Sequence, residues 1–120
     1  MEKLDCRSIM IGDWVMVKLT QHNTTVTNID SNSVYTEAAF PLRYDEIEPI
    51  PLTPEILEQN GFEDWDGWLC FDTDEFSISW CGTILKIHSD NGTCELVTCM
   101  YVHELQHAIK LCGIEKEIKV

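Results

Sequence analysis

The sequence predicts an α+β fold. Three observations carry that expectation: short alternating stretches set between turn signals, one well-capped short helix near the middle, and one amphipathic stretch with a helical period at Tyr101–Gly113. The expected architecture is a small N-terminal β-barrel-like (SH3-like) meander over residues 1–50. A short helix, an antiparallel sheet and a C-terminal amphipathic helix then follow over 51–120, the whole forming one compact domain.

Ile11 to Leu19, entered through Gly12, alternates as a strand should, with Trp14 and Met16 on one face and Val15, Val17 and Leu19 on the other. Gln21 to Thr25 is polar and reads as a turn, and Val26–Ile29 as a second strand. Asp30-Ser31-Asn32-Ser33 is a strong turn signal, followed by a third strand over Val34–Glu37. Asp45 to Leu52 ends this unit. Pro49 and Pro51 donate no ladder hydrogen bond, which makes the stretch an edge or a linker, with the seam near residue 50. Thr53 to Gly61 is a short helix: Thr53 suits the N-cap, Pro54 the first helical position and Gly61 the left-handed stop. Residues 63–75 read as an acidic, aromatic loop. Phe76–Trp80 and Thr83–His88 alternate around Cys81-Gly82 as a hairpin, and a turn over Ser89–Gly92 leads to a strand over Cys94–Thr98. In the final helix Val102, Leu105, Ala108, Ile109 and Cys112 cluster on one face, with Tyr101. His103, Gln106, His107 and Lys110 fall opposite, which predicts histidines facing solvent and a chain end that frays around Lys116 and Lys119.

A 44% hydrophobic content is enough for a core, so the chain is not a disordered one. The formal net charge of -13 argues against direct nucleic-acid binding and against anionic membranes, and favours steering toward basic surfaces. No stretch approaches a membrane span, and the N-terminus lacks the basic and apolar regions of a signal peptide, which implies a cytoplasmic setting. In that setting the six cysteines read as reduced small hydrophobes, and the sequons at Asn23 and Asn91 are silent.

His103-Glu104-Leu105-Gln106-His107 is an H-E-x-x-H string, which in a zinc hydrolase supplies two ligands and a general base. The extended pattern would place Gly at 110 and His at 113, where this chain has Lys110 and Gly113, and only 13 residues follow His107. Cys94, Cys99, His103 and His107 form a second metal-like series, but Cys94 and Cys99 would point to opposite faces of a regular strand. Asp64, Asp66 and Gly67 fit part of a calcium loop that Phe62 and Thr73 then break at its two ends. No Ser-His-Asp order or phosphate-binding glycine loop is present, and no cofactor is expected.

Between Tyr44 and Phe76 there are eleven acidic residues and no Lys or Arg. Asp64, Trp65, Asp66, Trp68, Asp72, Asp74 and Glu75 are its candidate partner-binding residues: an apolar anchor with an acidic rim suits a protein partner with a basic surface. The plainer alternative makes both tryptophans core and the acids a solvated loop.

The order Ile11-Gly12-Asp13-Trp14-Val15, Ile47 to Leu57, Asn60-Gly61-Phe62 and Tyr101 to Gln106 followed by Leu111-Cys112-Gly113 resembles a family of short uncharacterised proteins encoded in prophages and mobile elements of gut Bacteroidetes. The resemblance spans both ends of the chain and leaves 63–95 uncovered. It implies no activity. It also implies Asn at the position of His107, which sets that histidine outside the shared pattern. Ala108-Ile109-Lys110 likewise stands where the family more usually has aromatic residues. Small size, acidity and such an origin together lead to the expectation of a non-enzymatic counter-defence protein in a bacterial host. On that expectation it occupies a basic nucleic-acid-binding surface of a host protein. A zinc hydrolase on His103, Glu104 and His107 and a structural or housekeeping phage module are the alternatives.

Overall fold

The computed structural model describes residues 9–37, 41–89 and 94–120, with Cys94 and Glu95 described in their backbone alone. Cys6 and the expected turn over Asp90-Asn91-Gly92 lie outside the described residues. The fold is α+β, with two antiparallel sheets, one short helix and a C-terminal helix. The chain divides into two compact units, Met1–Ile50 and Pro51–Val120.

In the first unit β1 (Trp14–Val17) lies between β2 (His22–Ile29) and β4 (Ile47–Pro49), and β3 (Val34–Thr36) pairs with the far side of β2. The sheet stays open rather than closing into a barrel. A single bridge between Val34 and Leu42, then a 3-10 turn over Tyr44–Glu46, return the chain to β1. The proline-bearing β4 is an edge strand, where a missing N–H costs no ladder bond. Alternation along β1 buries Val15 and Val17, and Val15 joins Ile9, Val26, Val34 and Ile47 in one apolar cluster. The Gly12-Asp13 step is a structural knot. Gly12 takes φ +96, Met10 N donates to the buried Asp13 Oδ2 at 2.7 Å, and Gly12 N donates to Val26 O at 2.7 Å.

Two expectations fail here for one reason. The chain turns earlier than its polarity suggests: Gln21 at φ 55 closes the turn with Gln21 N donating to Val17 O at 2.8 Å. Thr24 and Thr25 are therefore strand residues, as β-branched side chains prefer, and Leu19 stands 92% exposed beyond the end of β1.

The second unit begins with α1 (Pro54–Gln59). Thr53 Oγ1 accepts from Ile56 N at 3.3 Å, Leu57 is fully buried, and Gly61 ends the helix at φ +92. A Cβ at Gly61 would meet the Phe71 ring at 3.1 Å, so glycine serves both the turn and the packing. The sheet is a meander of β5 (Glu63–Trp65), β6 (Trp68–Asp72), β7 (Phe76–Trp80), β8 (Ile84–Ser89) and β9 (Cys94–Thr98), neighbours in that order. Its register aligns Leu69 with Trp80, Leu85 and Val97, and Phe71 with Ile78 and Ile87. Leu69, Trp80, Leu85, Ile78 and Ile87 are buried, which identifies that face as the core face. Trp80 Nε1 donates to Cys99 O at 2.8 Å, so the largest core side chain also satisfies its one donor.

α2 (Val102–Leu111) buries Val102, Leu105, Ala108 and Ile109 as its periodicity predicts. The chain end does not fray as expected. Ile114 and Ile118 are buried, and Asn60 clamps Lys119 in both directions: Asn60 Nδ2 donates to Lys119 O and Lys119 N donates to Asn60 Oδ1, both at 2.8 Å. Lys116 Nζ lies 3.8 Å from the Phe71 ring centroid, and partial burial holds its pKa below the usual lysine value. Among the described cysteines Cys99 and Cys112 are buried, Cys70 is half-buried, and Cys81 departs from the expectation of buried cysteines. It is exposed, and the backbone N–H groups of Thr83 and then Ile84 lower its pKa.

Asn60→Ala removes both bonds to Lys119 and the Asn60 Nδ2 bond to Ile56 O. It is expected to lower stability by about 1–2 kcal/mol and to speed amide exchange across 114–120. Asn60→Asp, which keeps one acceptor, falls between the two in hydrogen-exchange mass spectrometry. An unchanged tail in Asn60→Ala contradicts the clamp.

Candidate functional site

The acidic stretch expected as a loop is a hairpin. Asp66 (φ 51) and Gly67 (φ 88) both take left-handed torsions, the two-residue type I′ arrangement whose twist matches the strands on either side. The register pairs Trp65 with Trp68, Asp64 with Leu69 and Glu63 with Cys70. An Asp-Gly pair between two tryptophans was the signal that sequence reasoning passed over, because acidity obscured it. Asp64 Oδ1 accepts from Gly67 N at 3.2 Å and braces the turn.

This geometry decides between the two readings of the tryptophans. Trp65 is 62% exposed on a strand whose three residues are all exposed, and Trp68 is half-buried. Neither is a core residue. Directly opposite residues of an antiparallel pair share a face, so Trp65 and Trp68 stand side by side on the face opposite the buried Leu69. Asp64 and Asp66 flank Trp65 and are exposed.

The seven candidate residues do not form one patch. Asp64, Trp65, Asp66 and Trp68 gather at the Asp66-Gly67 end of the hairpin. Asp72, Asp74 and Glu75 lie at the other end of β6, about 13 Å away along the strand. That second group is a separate turn, organised by Thr73, whose Oγ1 accepts from Glu75 N and Phe76 N at 3.1 Å each. It borders a shallow depression of about 340 Å³ that includes His88. A larger apolar concavity of about 860 Å³ lies in the first unit among Val17, Leu19, His22, Leu42 and the carboxylates Asp45 and Glu46, and no motif announced it.

The H-E-x-x-H string is built differently from its sequence-level expectation. His103 lies about 150° round the helix from the centre of the apolar stripe. It is nevertheless only 6% exposed, stacked on Tyr101 at 6.0 Å between ring centroids and met edge-on by His107 at 5.6 Å. A periodicity argument assumes a helix that buries one face, and the first turn of α2 buries His103 as well as Val102. Lys110 and Leu111, a turn or two later, are exposed. Glu104 is committed to the backbone: its Oε1 accepts from Met100 N at 2.8 Å and Tyr101 N at 3.0 Å, which satisfies donors at the start of the helix. A carboxylate held there is a helix-capping group, turned to the backbone of its own chain. Cys99, of the second metal-like series, is buried. Desolvation, with the nearby charge of Glu104, pushes its thiol up to about 12. The side chain of Cys94 lies outside the described residues. Among the described residues no three His, Cys, Asp or Glu side chains converge as a metal-holding group.

No family model, no curated protein and no solved structure matches the chain.

Glu104→Ala is expected to cost about 1 kcal/mol in thermal or urea unfolding, and Glu104→Gln much less, because an amide oxygen still accepts from the two N–H groups. Equal losses for the two variants would contradict the capping role.

Proposed function

We propose that this chain is a non-enzymatic, acidic binding protein that docks a basic surface on a protein partner through the β5–β6 hairpin. The observation that carries the reading is Trp65, a large side chain 62% exposed between Asp64 and Asp66. Leaving an indole in water forgoes one of the largest burial gains any residue offers, and tryptophan is enriched among the side chains that dominate binding energy. The carboxylates around it give long-range attraction to a basic partner and repel acidic competitors. No Lys or Arg lies between Tyr44 and Phe76, so no basic side chain within the stretch offsets that field.

The resemblance to prophage and mobile-element proteins, together with this surface, favours a counter-defence inhibitor in a bacterial host cell. Such a protein presents carboxylates where a host nucleic-acid-handling protein otherwise receives phosphates. In this reading the chain needs no cofactor, touches no nucleic acid directly and uses α2 to close a core rather than for chemistry.

Binding to purified host nucleic-acid-handling proteins is the test. A true partner is expected to lose at least about tenfold in affinity as salt rises from about 0.05 to 0.5 M, and to release its nucleic acid when the chain binds. Trp65→Ala is expected to lower affinity by about tenfold or more, and joint Asp64→Asn and Asp66→Asn changes to flatten the salt dependence. Salt-insensitive binding, or full affinity in Trp65→Ala, contradicts the proposal.

A further inference from the structure

The β5 strand is an outer edge of the five-stranded sheet, and among the described residues its only strand neighbour is β6. In a hairpin closed by a two-residue turn, the residues flanking the turn exchange both backbone hydrogen bonds. Pairing then alternates along the strands. Trp65 and Trp68 are therefore a hydrogen-bonded pair, Asp64 and Leu69 are not, and Glu63 and Cys70 are again. It follows that the Asp64 N–H and C=O point away from β6, out from the open edge. That edge offers a backbone donor and acceptor with carboxylates on both faces: Asp64 on the Leu69 side, Glu63 on the Trp65 side.

Resting on the reading above, we infer that β5 receives its partner by strand addition: an extended basic segment pairs with the β5 edge through the backbone of Asp64. Lys or Arg side chains then lie opposite Glu63 and Asp64, and an apolar side chain lies opposite Trp65. Charge selects this occupant. Directly opposite side chains across strands sit about 5 Å apart, where like charges repel and opposite charges attract. A second copy of this chain would set Glu63 and Asp64 against Glu63 and Asp64, so the acids close the edge to self-association while leaving it open to a basic strand. Backbone pairing supplies affinity and the alternating side chains supply selectivity, as in other strand-addition complexes. The opposite edge, β9, exposes Leu96 and Val97 and carries no described charge pattern that selects an occupant.

The experiment uses the whole chain and a synthetic peptide built on a repeated Val-Lys-Lys run, which sets Val opposite Trp65 and Lys opposite Asp64 and Glu63, beside a twin N-methylated on alternate residues. The twin keeps charge and side chains but has no N–H on one edge. Strand addition is expected to shift the backbone amide signals of Glu63, Asp64 and Trp65 on titration, and N-methylation on the pairing edge to weaken binding by tenfold or more. Asp64→Pro removes the outward N–H and the Asp64 Oδ1 brace on Gly67, but no ladder bond of the hairpin. It is expected to weaken binding at least tenfold beyond Asp64→Asn, which removes the charge alone. If Asp64→Pro perturbs the hairpin, the peptide pair still decides, because it leaves the protein unaltered. Equal binding of both methylation twins (the second N-methylated on the other alternate set) and the parent overturns strand addition and leaves charge-driven docking standing. No binding of any peptide also overturns it, and the salt and Trp65→Ala measurements on host proteins then decide the broader reading separately.

Discussion

The backbone at Asp66 and Gly67 determines where every side chain of the acidic hairpin goes. Two successive left-handed residues produce a two-residue turn, and that turn leaves one register for the strands it joins. A slip by a single residue would exchange the faces, carrying Leu69 out of the core and Cys70 toward it. The buried Leu69 and Phe71–Ile78–Ile87 alignment oppose that slip from the core side, while the turn opposes it from the other. Trp65 is exposed because these two constraints agree.

Electrostatics explains why the hairpin lies where it does. A carboxylate buried without a partner costs several kcal/mol, and the stretch from Tyr44 to Phe76 has eleven acids and no basic residue of its own to offer them. The strand bearing Glu63 and Asp64 must stay in water, which makes β5 an edge. The apolar residues of β6 are sorted by alternation, Leu69 to the core and Trp68 to the face it shares with Trp65. Among the described residues, a cation that comes close to this stretch is supplied from far along the chain. Lys116 reaches the Phe71 ring because Asn60 and the buried Ile118 hold the tail in place.

Much of this fold was legible from local rules. Thr53, Pro54 and Gly61 mark the ends of α1 because capping and left-handed torsions are properties of single residues. The stretches over Phe76–Trp80 and Cys94–Thr98 follow from alternation and turn residues. What escaped depended on competition or on distance. The Asp66-Gly67 turn was hidden by a loop reading that weighed charge above turn chemistry. The early turn at Gln21 required a non-glycine residue at positive φ, which polarity alone does not signal. The burial of His103 and the clamp between Asn60 and Lys119 come from tertiary contacts, to which a helical period and a position near the chain end are blind. The candidate surface was found by residue type but not by arrangement: Asp72, Asp74 and Glu75 belong to another turn.

Residue-resolved hydrogen exchange of the free chain tests the central claim most directly, because each amide of β5 reports which way it faces. An open edge in the register set by Asp66-Gly67 predicts near-unprotected exchange at Asp64 and slower exchange at Glu63 and Trp65, whose N–H groups face β6. Protection of Asp64 equal to that of its two neighbours would contradict it, since that amide would then already have a partner.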